Sequence, residues 1–270
     1  MFTSESGKTA ANNRDGAPFK LFRLAKPFLI LIAGIVGLSS VAAADPLRDA
    51  LWGVVNGLCL GNQRLTGNPA PCSYVDAARG FALIHPGEVH YLLVPTVRMI
   101  GIESADLLSP AARNYWALAW QSRSYLNDAA GVPVPRAAIG LAVNSADVRT
   151  QDQLHIHIGC LRRDVIRALQ RFEKDDKSGS TRAVVLARHR YTVMRVEGET
   201  LDNADPFKLL AESSPAARND MASETLGVAG ATFADGKEGF YLLSRRSRGE
   251  DGAAAEDLLD YRCRAARSGS

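Results

Sequence analysis

Hydrophobic positions after residue 45 follow two patterns, a spacing of three to four residues that predicts helices and short apolar runs that predict strands. Residues 46–58 have the helical spacing. Their shared apolar side consists of Leu47, Leu51, Val54, Val55 and Leu58. The segment 61–73 is rich in Gly, Asn and Pro and is expected to be a loop. Two apolar runs, 80–84 and 90–94, predict an antiparallel hairpin that turns around Pro86-Gly87.

The middle of the chain predicts one helix and two strands. Ser109-Pro110 resembles a helix start, a capping serine followed by proline at the first helical position, and the helix is expected to run to about Leu126. Residues 138–144 form an apolar run that predicts a strand. A loop over 145–150 then leads to a strand containing His155-Ile156-His157-Ile158.

The second half continues the same mixture of short elements. The expected elements are helices over 164–172, 206–212, 215–223 and 253–264, a charged turn to about residue 180, strands over 182–186 and 191–196, and a hairpin of 226–233 with 239–244. An Asp-Gly pair at 235–236 marks the turn of that hairpin. We therefore predict an α+β fold, a mostly antiparallel sheet with packed helices, in one domain over residues 46–265.

The N-terminal segment predicts export. Residues 1–26 are expected to be a disordered cytoplasmic tail, and the following stretch to residue 44 has no charge. Lys20, Arg23 and Lys26 precede the apolar stretch, so it reads equally as a retained single-pass anchor or as a signal segment cleaved near Ala42-Ala43-Ala44. Either interpretation places the later residues in the periplasm.

Charge and cysteine content agree with that placement. The whole net charge of +3 lies in the first 44 residues, so the domain is neutral and has no footprint for nucleic acid. All four cysteines follow the apolar segment, and an even number outside the cytoplasm suggests two disulfides. Three pairings are open, of which we favour Cys59 with Cys72 and Cys160 with Cys263. No Cys-x-x-Cys spacing supports a zinc site.

The pair His155 and His157 is the main candidate for chemistry. Alternation along a strand places both imidazoles on one face, with Ile156 and Ile158 on the other. Three interpretations are open: buried structural histidines, two ligands of a metal, or a nucleophile that attacks phosphorus. No His-Glu-x-x-His partner for a metal accompanies the pair. His90 and the run Arg188-His189-Arg190 are weaker candidates for a nucleotide pocket and for a phosphate contact.

The surrounding residues add a family resemblance. The order of hairpin, helix, strand, Asn144, Gln151 and then His155-Ile-His157 resembles the histidine-triad superfamily. The segments that extend the match are 91–96 (YLLVPT), 116–121 (WALAWQ), 142–145 (AVNS) and 151–160 (QDQLHIHIGC). Together they resemble the bacterial CDP-diacylglycerol pyrophosphatase family.

This resemblance implies an inner-membrane hydrolase without a metal or other cofactor, which cleaves CDP-diacylglycerol to CMP and phosphatidate through a CMP-histidine intermediate. It also implies that Asn144, Gln151 and the backbone at Gln153 donate hydrogen bonds to the substrate phosphates. Two alternatives stay open. One is a broader nucleotide hydrolase or CMP transferase, and the other is an exported nucleotide-binding protein without activity.

The sequence has two histidines where the general triad has three, so the nucleophile is open. If Gln153 replaces the first histidine, His155 is the nucleophile and His157 the third member. An alignment that keeps the spacing from Asn144 and Gln151 makes His157 the nucleophile and puts Gly159 in the third position. We slightly favour His157, because this alignment needs no gap.

Overall fold

The computed structural model describes residues 47–175, 182–248 and 252–267. The sequence predictions for the N-terminal tail, the apolar segment and the charged turn near residue 180 fall outside these ranges. No helix within them is both long enough and apolar enough to cross a membrane.

One antiparallel sheet organises the described residues. Its strands are β1 (Tyr74–Asp76), β2 (Phe81–Ile84), β3 (His90–Pro95), β4 (Ile139–Val143), β5 (Ile156–Cys160), β6 (Arg182–Leu186), β7 (His189–Glu197), β8 (Glu224–Thr232) and β9 (Glu238–Arg246). Their order is β1-β2-β3-β5-β4-β8-β9-β7-β6. The predicted α+β class is therefore confirmed, as are both predicted hairpins. At the turn between β8 and β9, Gly236 has a φ of 81°, which explains the Asp-Gly pair.

Short helices surround the sheet. They are α1 (Ala50–Trp52), α2 (Leu60–Thr66), α3 (Tyr115–Gln121), α4 (Tyr125–Ala130), α5 (Arg163–Asp175), α6 (Pro206–Ser213), α7 (Pro215–Asn219) and α8 (Arg264–Arg267). A π-helical segment, Gly53–Cys59, joins α1 to α2 without a break. Short 3-10 turns occupy Met221–Ser223 and Ala255–Leu258.

Several predicted helices differ from those in the structure. The first helical segment runs on through Gly61 to Thr66, and it ends where Gly67 adopts a left-handed conformation. The central helix begins at Tyr115 rather than at Ser109-Pro110, because Asn114 caps it by accepting a hydrogen bond from the Ala117 amide. The predicted helix over 253–264 is wrong. The chain there makes a 3-10 turn and then pairs Leu259 with Leu161 in an isolated bridge.

The strand register separates two faces of the sheet. Residues paired across antiparallel strands share a face, so His157, Ala142, Gly227, Leu243 and Val193 lie on one side. We call this side the histidine face. Aromatic residues of α3 and α6 pack on the opposite side, among them Trp116, Trp120 and Phe207. Helix α5 and the 3-10 turn at Ala255–Leu258 cover part of the histidine face.

Both predicted disulfides are present. Cys59 bonds to Cys72 with a Cα–Cα distance of 5.5 Å, and Cys160 bonds to Cys263 with a Cα–Cα distance of 5.1 Å. The second bond joins the end of β5 to the C-terminal segment across 103 residues of sequence. It therefore fixes that segment against the histidine strand.

Candidate functional site

His155 and His157 lie together on the histidine face, as alternation along the strand predicted. Their ring centroids are 5.0 Å apart and the rings are steeply inclined, by 64°. Both side chains are largely buried, with 9% of His155 and 6% of His157 exposed. Ile156 and Ile158 are fully buried on the other side of the strand and anchor it in the core.

One hydrogen bond defines the protonation of His155. Its Nδ1 lies 2.7 Å from the backbone carbonyl oxygen of Gln153. A carbonyl can only accept, so Nδ1 carries the proton in the neutral ring and Nε2 carries the lone pair. No hydrogen-bond partner for that Nε2 exists among the described residues, and the atom is not enclosed. His155 therefore presents an available nucleophilic nitrogen.

His157 is held from its Nδ1 side. That atom lies 3.1 Å from Nε2 of His90 and 3.2 Å from the hydroxyl oxygen of Tyr261. The Tyr261 ring stacks on the His90 ring with centroids 3.8 Å apart. Nε2 of His157 is enclosed and has no hydrogen-bond partner in the described part of the chain, although Oε2 of Glu256 lies 3.5 Å away. Its ring is thus fixed in place but shielded.

A chain of polar contacts supports this arrangement. The Tyr261 hydroxyl donates to Oε1 of Glu256 over 2.5 Å. Nδ2 of Asn144 donates to Oε2 of the same carboxylate over 3.0 Å, and Oδ1 of Asn144 accepts from the Glu256 backbone amide over 3.2 Å. The single Tyr261 proton goes to Glu256, so the phenol oxygen faces His157 as an acceptor.

Burial keeps the three histidines neutral. It lowers the pKa of His90 to about 4, and it lowers the pKa of His155 below the ordinary histidine value. The pKa of His157 is lowered well below that value, first by burial and then by the neighbouring His155 and His90. Glu256 acts in the opposite direction on His90 and His155, because its negative charge favours their protonated forms. At neutral pH the site therefore holds three neutral imidazoles.

No group of three or more metal-ligating side chains with the arrangement of a metal site occurs within the ranges that the structure describes.

Two comparisons with known proteins match this chain to a family. A family model described as CDP-diacylglycerol pyrophosphatase matches residues 46–267, which include every site residue named so far. The chain belongs to the CDP-diacylglycerol pyrophosphatase family. A CDP-diacylglycerol pyrophosphatase from Yersinia pestis is 36% identical over 240 residues, which cover 87% of this chain and 90% of that protein. The family resemblance identified from the sequence is therefore confirmed.

The structure brings some of the predicted site residues of this family member together. His90, His155, His157 and Asn144 meet at one place on the histidine face. Asn144 reaches the histidines through Glu256, which uses both its amide nitrogen and its oxygen. Asn144 is thus placed to orient the Glu256 carboxylate. The sequence had suggested that it donates to a substrate phosphate.

Gln151 and Gln153 have protein partners instead of a position in the site. Gln151 accepts a hydrogen bond from the Leu51 amide and donates to the Leu47 carbonyl, which ties the loop before β5 to the start of α1. The Gln153 side chain is fully buried. It accepts from the Met99 amide and donates to the carbonyls of Pro95 and Val97. The Gln153 backbone carbonyl accepts a hydrogen bond from Nδ1 of His155.

Arg188 and His189 lie far from the histidines. Arg188 lies in the turn between β6 and β7, and His189 begins β7, at the opposite edge of the sheet. Strand β7 is four positions from β5 in the strand order, a separation of roughly 19 Å at normal strand spacing. The strand order therefore does not support contact of this turn and His155 with the same substrate phosphate.

Glu256 and Tyr261 are the site residues that sequence reasoning missed. Both lie in the segment that was predicted to be a helix, and Tyr261 is 104 residues from His157 along the chain. The one available signal is Cys263. Its predicted bond to Cys160 already brought this segment to the end of the histidine strand.

Gln153 is expected to be a stability residue. Replacing it with leucine leaves the Met99 amide and the carbonyls of Pro95 and Val97 without partners inside the protein. We expect Gln153→Leu to lower the free energy of unfolding by about 3 kcal/mol in urea denaturation. Gln170→Leu, at an exposed position of α5, is the matched control and should change it by less than about 0.5 kcal/mol. Equal stability of both variants would show that the Gln153 contacts are unimportant.

Proposed function

We propose that this protein hydrolyses the phosphoanhydride bond of CDP-diacylglycerol to CMP and phosphatidate, with Nε2 of His155 as the nucleophile. The hydrogen bond from His155 Nδ1 to the Gln153 carbonyl carries the proposal, because it assigns the lone pair to an accessible nitrogen. Membership of the family and the name of the Yersinia pestis relative support the substrate.

The reaction has two displacement steps. In the first, Nε2 of His155 forms a bond to the cytidine-side phosphorus, and the bond from that phosphorus to the bridging oxygen breaks. The bridging oxygen keeps the electron pair and leaves as phosphatidate. The modified ring retains its proton on Nδ1 and becomes cationic, so the Gln153 carbonyl stabilises it by a charge-assisted hydrogen bond.

In the second step, a water oxygen bonds to the same phosphorus and the phosphorus–nitrogen bond breaks. The nitrogen recovers its lone pair. One proton of the water stays on the CMP phosphate and the other passes to solvent. His155 returns to its initial neutral tautomer, so the cycle is closed.

This proposal reverses the slight preference for His157 that the ungapped alignment gave. Nε2 of His157 is enclosed, and the strong reduction of its pKa makes it a poor base. Its Nδ1 is engaged by His90 and Tyr261. We assign His157 a positioning role beside the reacting phosphate, with Tyr261 and Glu256 fixing its ring. Gly159 is the third position of the rejected alignment. A Cβ there would lie 3.4 Å from the Tyr261 ring.

We further propose a histidine-triad-like fold and a location at the bacterial inner membrane, with a single N-terminal span and a periplasmic catalytic domain. The two disulfides support an oxidising compartment. The predicted apolar segment ends at residue 44. Three residues later, the Leu47 carbonyl accepts a hydrogen bond from the Gln151 side chain in the loop before β5. A retained span would tether the catalytic domain to the membrane that contains its lipid substrate.

Product analysis tests the proposed substrate. The full-length protein in neutral detergent would be incubated with CDP-diacylglycerol and, separately, with CDP-choline, each with and without EDTA. We expect CMP from the lipid substrate in both conditions and at most slow release from CDP-choline. Equal rates would favour the broader nucleotide hydrolase, and no CMP from either would favour a binding protein. In water enriched in ¹⁸O, the label should enter CMP and not phosphatidate.

The acidic limb of the pH profile of kcat/KM should reflect the protonation of His155. Because burial lowers its pKa, the nucleophilic form persists below the ordinary histidine value of about 6.5, and kcat/KM should fall only below that pH. Glu256→Gln removes a negative charge that favours protonation, so the limb should move to still lower pH. Asp257→Asn, a neighbouring exposed position, should leave the limb in place. A shift of the limb to higher pH in Glu256→Gln would contradict this assignment.

A further inference from the structure

A cavity lies on the face of the sheet opposite the histidines. Its volume is about 750 Å³, within the usual range for small-molecule sites. Met194 pairs with Leu242. Both residues are adjacent in sequence to residues of the histidine face, so their side chains lie on the opposite face of the sheet. Helices α6 and α7 form the other wall through Leu210, Ser213 and Ala216. The nine-stranded sheet therefore separates this cavity from His155.

This cavity combines aliphatic and small polar residues in its walls with arginines at its rim. Met194, Leu210, Leu226 and Leu242 provide aliphatic surface inside it. Arg188, Arg190 and Arg248 line it as well, and all three side chains are exposed. Among the lining residues that the structure describes there is no Phe, Tyr or Trp, and His189 offers the one aromatic ring on which a nucleobase could stack. The lining thus matches an aliphatic anion better than a nucleotide.

The positive charge at the rim is uncompensated. Glu224 is the one acidic residue among the described lining residues, and its carboxylate is paired with Arg246 over 2.9 Å. Asp220 pairs with the same Arg246. No carboxylate in the described residues pairs with Arg188, Arg190 or Arg248. Three guanidinium groups are therefore available to an external anion.

The turn that carries Arg188 has an unfavourable backbone. Ala187 and Arg188 have φ values of 46° and 71°, in a hairpin turn that normally selects Asn and Gly. Arginine adopts this backbone conformation less favourably than Asn or Gly. Backbone strain of this kind concentrates at ligand sites, and here it places a cationic side chain at the cavity rim.

We propose that this cavity binds the phosphate headgroup of an anionic phospholipid, with the adjoining part of an acyl chain against its apolar wall. Arginine recognises phosphate oxygens through paired hydrogen bonds, and the exposed positions of Arg188 and Arg190 leave both guanidinium groups accessible. The site is distinct from the one at which the substrate is cleaved, and it does not depend on the proposed reaction.

Methyl NMR can observe this site directly. Met194 lines the cavity, whereas Met99 is buried near Gln153 and does not. The full-length protein, labelled with ¹³C at its methionine methyl groups and held in neutral detergent, would be titrated with dihexanoyl phosphatidate. Parallel titrations would use dihexanoyl phosphatidylcholine and glycerol 3-phosphate. We expect a saturable shift of the Met194 signal with phosphatidate alone, while the Met99 signal serves as the reference.

Charge reversal supplies the matched comparison. Arg188→Glu/Arg190→Glu should raise the dissociation constant reported by Met194 at least roughly tenfold. Arg64→Glu/Arg167→Glu carries the same charge change on α2 and α5, away from the cavity, and should change it less than about twofold. Thermal denaturation would confirm that both variants are folded. Equal weakening in both, no Met194 shift, or equally tight binding of glycerol 3-phosphate would overturn the proposal.

Discussion

His155→Ala is expected to lower kcat for CDP-diacylglycerol hydrolysis by about 10⁴-fold or more, because it removes the nitrogen that we propose as the nucleophile. His157→Ala should cost less, roughly 10²-fold, since we propose that its ring positions the phosphate. His157→Asn, which retains a nitrogen near Nδ1, should recover part of that loss. Steady-state release of CMP measures all three variants.

The control for this comparison is His85→Ala. His85 is exposed, bonds to the Glu88 carbonyl and stacks on Tyr91, away from His155. Its variant should retain full activity. A larger loss in His157→Ala than in His155→Ala would restore the ungapped alignment and make His157 the nucleophile. Near-normal activity in both would exclude histidine catalysis.

Loss of the Cys160–Cys263 bond is expected to have the largest effect on stability. The bond closes a loop across 103 residues, for which the entropic model gives about 4 to 5 kcal/mol of unfolding free energy. Cys160→Ala/Cys263→Ala should therefore be strongly destabilised in denaturant titrations. It should also lose activity under conditions where it is folded, because Glu256 and Tyr261 lie in the segment that the bond fixes against β5.

The other disulfide provides the comparison. Cys59 and Cys72 are 13 residues apart, so Cys59→Ala/Cys72→Ala should cost only about 3 kcal/mol. That bond joins the end of the π-helical segment to the loop before β1. Its loss should leave kcat largely unchanged. If the Cys160–Cys263 variant is folded and has normal kcat, the disulfide does not hold Tyr261 in place.

Local pattern was enough to predict the parts of the fold that short-range chemistry determines. The Asp-Gly turn, the two hairpins and the shared face of His155 and His157 follow from turn residues and strand alternation. The disulfides were predicted from the expected export and from the expected positions of the cysteines. These features depend on residues close in sequence or on a covalent bond.

The remaining features depend on contacts between distant residues. The segment 253–264 has helical composition, but the Leu259–Leu161 bridge and the bond of Cys263 draw it along the end of the sheet. Glu256 and Tyr261 reach His157 only because of that path. The backbone at Gln153 was expected to donate to the substrate, yet its carbonyl accepts a hydrogen bond from His155, and the side chain bonds to backbone groups of residues 95–99. Neither result has a signature in local sequence.

Identification of the modified residue during turnover tests the central claim most directly. The full-length protein would be mixed with excess CDP-diacylglycerol, quenched within the first turnover in alkaline denaturant, which preserves a phosphorus–nitrogen bond, and digested for mass spectrometry. We predict a cytidylyl group on His155, absent from His155→Ala and retained in His157→Asn. A cytidylyl group on His157, or unmodified protein while CMP is being released, would contradict the mechanism.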